Sequence, residues 1–170
     1  MIRSLTFLPL VSLIFGMYAG ADDATRLREY FGYFEGTWQI RELNGSETGS
    51  ITIKRGEGGT SHVLDYRFGD DRRTELWGYD PTSKHWMATG FNQNGERFSQ
   101  VMMEVPERAT AEADDHFWDK HAGVLPTGEK TSARLDFFIE SQDAYVVKVT
   151  NITVGENRLE DASFRISRQH

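Results

Sequence analysis

Ten short segments rich in β-branched and aromatic residues succeed one another between residues 37 and 168, and this run constrains the fold more than any other feature of the chain. Such segments, bounded by Gly, Pro, Asn, Asp and Ser, are typical of β-strands. Turn sequences such as Asp80-Pro81 and Asn94-Gly95 separate them. The predicted strands are Thr37–Leu43, Thr48–Arg55, Thr60–Phe68, Arg73–Tyr79, Lys84–Asn92, Glu96–Val105, His116–Val124, Thr131–Glu140, Ala144–Thr153 and Arg158–Arg168.

The connections between these strands predict how the strands pair. Most of them hold only a few residues, whereas a parallel crossover needs roughly a dozen or more, so neighbouring strands are expected to be antiparallel. An open meander would expose two sheet edges, and closure into a barrel removes both. We therefore predict an all-β fold, an up-and-down antiparallel barrel of about ten strands. The connection Glu107–Asp115 is longer and acidic, and the sequence leaves open whether it forms a loop, a short helix or a strand fragment.

A short amphipathic helix is predicted ahead of the first strand, over Asp23–Glu35. Gly36 ends it, and Asp22 or Asp23 can cap its first turn. Its apolar residues recur at i, i+3, i+4 and i+7, the spacing of one helix face: Leu27, Tyr30, Phe31 and Phe34. This face is expected to pack against another part of the fold.

The first 21 residues have the pattern of a secretory signal peptide. Arg3 precedes the apolar run Leu5–Tyr18, and Ala19-Gly20-Ala21 supplies small residues for cleavage. The run is shorter than the roughly 17 to 25 residues needed to span a membrane. We predict cleavage after Ala21, so that residues 22–170 form the barrel domain, without a membrane span, in a secreted or periplasmic protein.

The composition excludes several classes of function. The chain carries 19 Lys and Arg against 26 Asp and Glu, a net charge of −7, whereas a nucleic-acid-binding surface needs clustered basic residues. We therefore expect no nucleic-acid partner. The chain has no cysteine, which excludes disulfides, thiolate metal sites and thiol nucleophiles.

Alternation along the strands predicts which side chains line the barrel. Leu64 and Tyr66 lie on either side of Asp65, and Leu135 and Phe137 on either side of Asp136, so these apolar residues are expected to point inward. A barrel wider than eight strands is not easily filled by side chains. The predicted ligand-binding residues on the inner surface are Tyr66, Met87, Phe91, Phe98, Met102 and Phe137. Such a lumen suits a small apolar molecule or lipid, and the alternative is that these residues meet in a collapsed core.

Two short motifs resemble those of a known family. The segment Phe34-Glu35-Gly36-Thr37-Trp38 looks like the G-x-W signature that opens lipocalin-like (calycin) barrels. Gly78-Tyr79-Asp80-Pro81, followed by Trp86, resembles a group of secreted bacterial proteins of unknown function with that fold. The resemblance implies a barrel with Trp38 closing one end and usually a small apolar ligand inside. About ten strands and no disulfide depart from true lipocalins and are closer to fatty-acid-binding or nitrobindin-like barrels.

Polar residues point less clearly to chemistry. The segment Asp114–His121 combines carboxylates and imidazoles, which suit zinc, iron or manganese. In a strand, however, His116 and His121 face opposite sides and only Asp119 shares a side with His121, so we expect no metal site. An inward arginine would imply an anionic ligand or an Asp partner, and four arginines alternate with apolar residues in this way: Arg67, Arg97, Arg134 and Arg165.

The sequence favours a secreted or periplasmic binding protein that holds a small apolar or amphipathic ligand, without a cofactor or catalytic residues. One alternative is a haem-binding or enzymatic barrel that uses a rim histidine, His62 or His85. The other is a structural module whose exposed aromatic residues Trp77, Tyr79 and Trp86 contact another protein.

Overall fold

The computed structural model describes residues 22–170, and the predicted signal peptide lies outside the described residues. A helix, α1, spans residues 22–31 and continues as a single 3-10 turn at Gly32–Phe34. Eleven strands follow: β1 (Gly36–Glu42), β2 (Thr48–Arg55), β3 (Ser61–Phe68), β4 (Asp71–Asp80), β5 (His85–Asn92), β6 (Arg97–Met103), β7 (His116–Val124), β8 (Lys130–Ser141), β9 (Ala144–Val154), β10 (Asn157–Arg158) and β11 (Ala162–Arg168).

Ten of these strands form a closed antiparallel barrel. Strands β1 to β9 pair in chain order, and β11 lies between β9 and β1. At the closure Trp38 of β1 is opposite Arg168 of β11. The ring has no unpaired edge between its first and last strands, which confirms the predicted all-β, up-and-down, lipocalin-like barrel with a short N-terminal helix.

The last predicted strand, Arg158–Arg168, is interrupted. Asn157–Arg158 forms the two-residue strand β10 on the end of β9, and pairing with β9 resumes only at Ala162. The cause lies in β9, where Asn151 has a φ of 53°. The Asn151 backbone N–H donates to the Asp161 carboxylate at 3.3 Å, so the ladder is broken at this point.

Helix α1 closes one end of the barrel. Leu27, Tyr30, Phe31 and Phe34 are all buried, as the helical spacing predicts. The Phe31 ring stacks on Trp86 at a centroid distance of 5.1 Å and meets Phe117 edge-on at 5.4 Å. These contacts bury the apolar face of a helix that would be marginal in isolation.

Trp38 completes this aromatic end. Its side chain is fully buried, and its indole N–H donates to the carbonyl oxygen of Phe34 at 2.8 Å. The Arg168 guanidinium lies 4.0 Å above the Trp38 ring and donates to the carbonyl of Glu35 at 2.6 Å. Gly36 has a φ of 121°, and a Cβ there would come within 2.9 Å of Arg168 Nη1. Glycine is therefore required at this junction.

The connection Glu107–Asp115 is a loop that contains neither helix nor strand and packs against α1. Tyr30 of α1 donates its hydroxyl to Asp115 at 3.3 Å, and Arg26 donates to the carbonyl of Pro106 at 2.7 Å. Ala111 is buried at the same end. The loop thus holds the helix over the end of the barrel.

The inward phase of β5 differs from the prediction. Trp86, Ala88 and Gly90 are buried, whereas Phe91 is 61% exposed and Met87 shares its outer face. The placement of Met87 and Phe91 inside the barrel is therefore wrong. Both faces of β5 carry apolar side chains, so alternation alone does not define its phase, which is set by the pairing of β5 with β4.

Candidate ligand-binding cavity

A cavity of about 400 Å³ lies in the barrel beyond the aromatic end. This volume falls in the range of roughly 300–1,000 Å³ found for small-molecule pockets. Thr131, Ser132 and Thr153 line the cavity at the end remote from α1, and Ser132 is exposed to solvent. The barrel is therefore packed at one end, and hollow and open at the other.

One wall of the cavity is apolar. Its side chains come from six consecutive strands of the ring, β8, β9, β11, β1, β2 and β3. They include Leu135, Val149, Phe164, Ile40, Ile51 and Leu64. Phe164 and Val149 pack against the core on one side and border the open space on the other, so both are only half-buried.

The opposite wall is polar. Arg73 and Glu75 from β4, Gln100 from β6 and His121 from β7 line it. Strand β5 contributes no large side chain at this level, since Gly90 faces inward. A Cβ at Gly90 would come within 2.8 Å of the Phe98 ring, so side chains of β6 lean across β5 towards β4.

Arg73 supplies the positive charge of the polar wall. Its Nε donates to Asp71 Oδ2 at 3.0 Å, and its Nη2 contacts the same oxygen. Its guanidinium lies 4.4 Å from the Tyr66 ring centroid and 5.6 Å from that of Phe98. Burial raises the pKa of Tyr66 to about 12, so the phenol stays neutral. The inward arginine therefore has an Asp partner, the second of the two options that the sequence analysis named.

Two buried carboxyl groups belong to the same region. Glu75 is 5% exposed, and its Oε2 accepts the indole N–H of Trp77 at 2.7 Å. Asp119 lies on the inner face of β7, nearer to the aromatic end than His121, and is fully buried. Neither of its carboxyl oxygens has a hydrogen-bond partner among the described residues. Burial raises the pKa of both groups, and the charge of Glu75 raises that of Asp119 further. Burial therefore shifts both carboxyls towards the protonated form.

His121 adds a neutral imidazole to the wall. Its ring stacks on Phe98 at a centroid distance of 5.3 Å, and its Nδ1 is 3.5 Å from Nε2 of Gln100. Burial, followed by the charge of Arg73, lowers the pKa of His121. The wall thus combines an ion pair, an amide, a neutral base and a protonatable carboxyl facing an apolar surface.

The predicted ligand-binding residues divide into three groups. Tyr66 and Phe137 line the cavity. Phe98 and Met102 point inward and are buried, but Phe98 lies beside Arg73 and His121, and Met102 packs in the core. The third group, Met87 and Phe91, lies on the outer surface of the barrel. Contact of any of them with a ligand stays a prediction.

Neither of the two rim histidines lines the cavity. His62 is fully buried at the closed end, with its Nε2 2.9 Å from Glu35 Oε1. His85 lies on the outer face of β5, with its Nδ1 2.7 Å from the carbonyl oxygen of Ser83. The structure instead brings His121 to the cavity.

The segment Asp114–His121 divides between the two faces of the barrel wall. Asp119 and His121 share the inner face as predicted, while His116 lies outside, 3.0 Å from Asp136. Within residues 22–170, no group of three or more His, Cys, Asp or Glu side chains is arranged to hold a metal ion.

The predicted surface of exposed aromatic residues is not formed. Trp77 and Trp86 are 5% and 1% exposed, and Tyr79 is half-buried. All three point towards the aromatic end that α1 covers, so an interaction module built on these residues lacks its surface.

The sequence analysis missed Arg73, Glu75 and Gln100. The four arginines that it considered lie on the outer face or outside the cavity lining. A signal was present in β4, where Arg73 and Glu75 have the same parity as Trp77. An inward Trp77 would have placed both charged residues inside, but the apolar residue Leu76 on the other face left the phase of β4 open.

No protein-family model matches the sequence, and no curated protein matches it significantly. In the part of the chain that the structure describes, no helix is long and apolar enough to cross a membrane. The closed antiparallel barrel and its cavity are therefore the basis for any inference about function.

Proposed function

We propose that this protein is a binding protein that holds a small amphipathic molecule in the barrel cavity. The observation that carries the proposal is the cavity of about 400 Å³, with an apolar wall, a polar wall and an opening at the end remote from α1. An apolar, concave site with a few convergent polar groups is the usual form of a small-molecule pocket. The polar groups would orient the ligand, and the apolar wall would supply most of its burial.

We also propose that the chain is a secreted or periplasmic member of the lipocalin-like barrels. Two features support this proposal: the signal-peptide pattern of residues 1–21, and the local arrangement around the G-x-W motif. There, Trp38 packs against the residues that follow α1 and is covered by Arg168, next to Gly36, whose φ of 121° is one that other residues rarely adopt. In such a protein a ligand would be taken up outside the cytoplasm.

Native mass spectrometry after exposure of the purified protein to a lipid extract tests the binding function. A retained molecule of defined mass is expected at one per barrel. Val149→Trp is expected to abolish retention, because Val149 lines the cavity and the larger side chain would occupy it. Val63→Trp is the matched control, since Val63 lies on the outer face and is 38% exposed.

The two variants separate binding in the cavity from binding on the surface. Retention by Val63→Trp together with loss in Val149→Trp would support the proposal. Equal retention by both variants, or no retained molecule in the unmodified protein, would overturn it. Near-ultraviolet circular dichroism of each variant establishes that the barrel is intact.

A further inference from the structure

We infer that the polar wall selects a ligand whose polar end is an ammonium group rather than a carboxylate. The inference rests on the proposed function and names the ligand class for the same cavity. It depends on how the charges of the wall are already paired, and on which polar atoms still lack a partner.

The positive charge of Arg73 is already neutralised. Two of its guanidinium nitrogens contact Asp71 Oδ2, and its face lies against the Tyr66 ring. A ligand carboxylate would have to displace Asp71 from this pair, and it would be brought next to the carboxyl of Glu75. Two ionised carboxylates in a buried site repel each other strongly, so the ligand and Glu75 could not both keep their charge there. The wall is therefore poorly suited to an anionic head group.

Glu75 is the group that a ligand cation would meet. It lines the cavity, and its one hydrogen bond from a described residue comes from Trp77 to Oε2. A carboxylate has about four acceptor positions, so Glu75 retains acceptor capacity towards the cavity. An ammonium group provides three N–H donors and a positive charge, which together favour the ionised form of Glu75.

Asp119 is a second buried carboxyl in the barrel interior. It is fully buried on the inner face of β7, and both of its oxygens lack a partner among the described residues. The charge of Glu75 raises the pKa of Asp119. Buried polar groups are normally satisfied, so an unpaired carboxyl behind the polar wall requires an explanation. A cation at Glu75 lowers the cost of negative charge at both positions.

The other charged and titratable groups around this pair do not replace the cation. The charges that act on Glu75 and Asp119 are those of Arg73 and Asp71 on β4 and of Asp136 on β8. Glu75 in turn raises the pKa of two phenols, Tyr66 on β3 and Tyr145 on β9. Arg73 is paired with Asp71, Asp136 with Arg134, and the two phenols are neutral. The apolar wall opposite is then free to hold an alkyl chain or ring attached to the ammonium group.

Three probes with the same alkyl chain and different polar ends test this inference: decylamine, decanol and decanoate. Isothermal titration calorimetry of the purified protein is expected to show decylamine binding at least about tenfold tighter than decanol, the ratio expected for one charge-assisted hydrogen bond in a dry site. Decanoate is expected to bind most weakly. Repeating the titrations at high salt removes general attraction of cations to an acidic protein.

Glu75→Gln is the decisive variant, because it keeps the shape and removes the charge. It is expected to reduce the preference for decylamine to within about twofold while decanol binding is retained. Glu57→Gln changes the net charge equally in an exposed turn and is expected to keep the full preference. If Glu75→Gln fails to fold, Asp119→Asn is the second variant and is expected to weaken the preference in the same direction.

The outcomes distinguish this inference from the proposed function. Binding of all three probes with equal affinity, tightest binding of decanoate, or a full amine preference in Glu75→Gln would overturn the ammonium inference and leave the cavity as a binding site. Failure of every probe to bind would overturn both.

Discussion

The two halves of the barrel are built from the same strands but differ in how their interiors are filled. In the half next to α1, aromatic rings pack against one another, and Phe31, Phe34 and Trp38 are fully buried. In the other half, Phe164 and Val149 border a cavity. Close packing stabilises a fold, whereas a cavity costs free energy. The stability of this protein is therefore concentrated at the closed end, and its candidate site lies where stability is lost.

The largest expected effect contrasts one phenylalanine from each half. Phe34→Ala is expected to lower the free energy of unfolding by about 3–5 kcal/mol, because it leaves a cavity among packed rings. Phe164→Ala should cost less than about 2 kcal/mol, since a half-buried ring next to open space gives up only part of the free energy of burial. Urea denaturation of both variants measures the difference. Equal losses would show that the two halves are equally well packed.

The next expected effect concerns the unpaired carboxyl of Asp119. The pKa of Asp119 is raised by burial, so its contribution to stability is fully present below the unfolded value of about 3.9 and is lost as pH rises through the raised value. Asp119→Asn is expected to be more stable than the unmodified protein at about pH 8 by roughly 1–3 kcal/mol, and to lose this advantage in acid. Denaturation midpoints across the pH range provide the measurement.

Asp136→Asn is the matched control for this prediction. Hydrogen bonds from Arg134 lower the pKa of Asp136, so its contribution is present above about 3.9 and is lost as pH falls. Removal of that carboxylate is expected to destabilise the protein at neutral pH, the opposite sign, by less than about 1 kcal/mol because the pair lies on the outer face. The same sign for both variants would contradict the assignment of Asp119 as an unpaired group.

A smaller effect is expected at the closed end in acid. Burial lowers the pKa of His62 despite its hydrogen bond with Glu35, so this contribution is fully present above the unfolded value of about 6.5 and is lost as pH falls. His62→Gln retains a donor for Glu35 but does not titrate. Between about pH 6.5 and pH 5, the free energy of unfolding of this variant is expected to fall by about 1 kcal/mol less than that of the unmodified protein.

His85→Gln is the control on the outer face of β5, where the imidazole is bonded only to the Ser83 carbonyl. This variant is expected to lose as much free energy of unfolding in acid as the unmodified protein does. If the free energy of unfolding of His62→Gln fell in acid as steeply as that of the unmodified protein, His62 would not be the source of the acid sensitivity. His121 in the open half would then be the next residue to test.

The smallest effect tests the phase of β5. Phe91→Ser is expected to change the free energy of unfolding by no more than about 0.5 kcal/mol, because the ring is 61% exposed on the outer face. Phe98→Ser, inside the barrel, is expected to be strongly destabilising. The melting temperatures of the two variants provide the measurement. A large decrease in the melting temperature of Phe91→Ser would contradict the outward orientation of Phe91 and support the inward one predicted from the sequence.

The accuracy of the sequence-based predictions varied with the contrast between strand faces. In β3 and β8 polar and apolar residues alternate, and Leu64, Tyr66 and Phe137 were placed correctly. In β5 both faces are apolar, and Met87 and Phe91 were placed on the wrong one. The polar wall was missed for a related reason, because inward charged residues reverse the pattern on which such predictions depend.

The amino-acid sequence by itself determined the strands, their antiparallel order and the aromatic face of α1, because turn residues and apolar spacing act over a few neighbouring positions. Only the tertiary structure decided which face of β4 and β5 points inward and which polar groups meet across the lumen. Glu75 and Asp119 lie on strands that are not neighbours in the ring, β4 and β7, and both are buried in the same interior because the sheet curves round to close. Such a meeting depends on the curvature and register of the whole barrel, which no local pattern encodes.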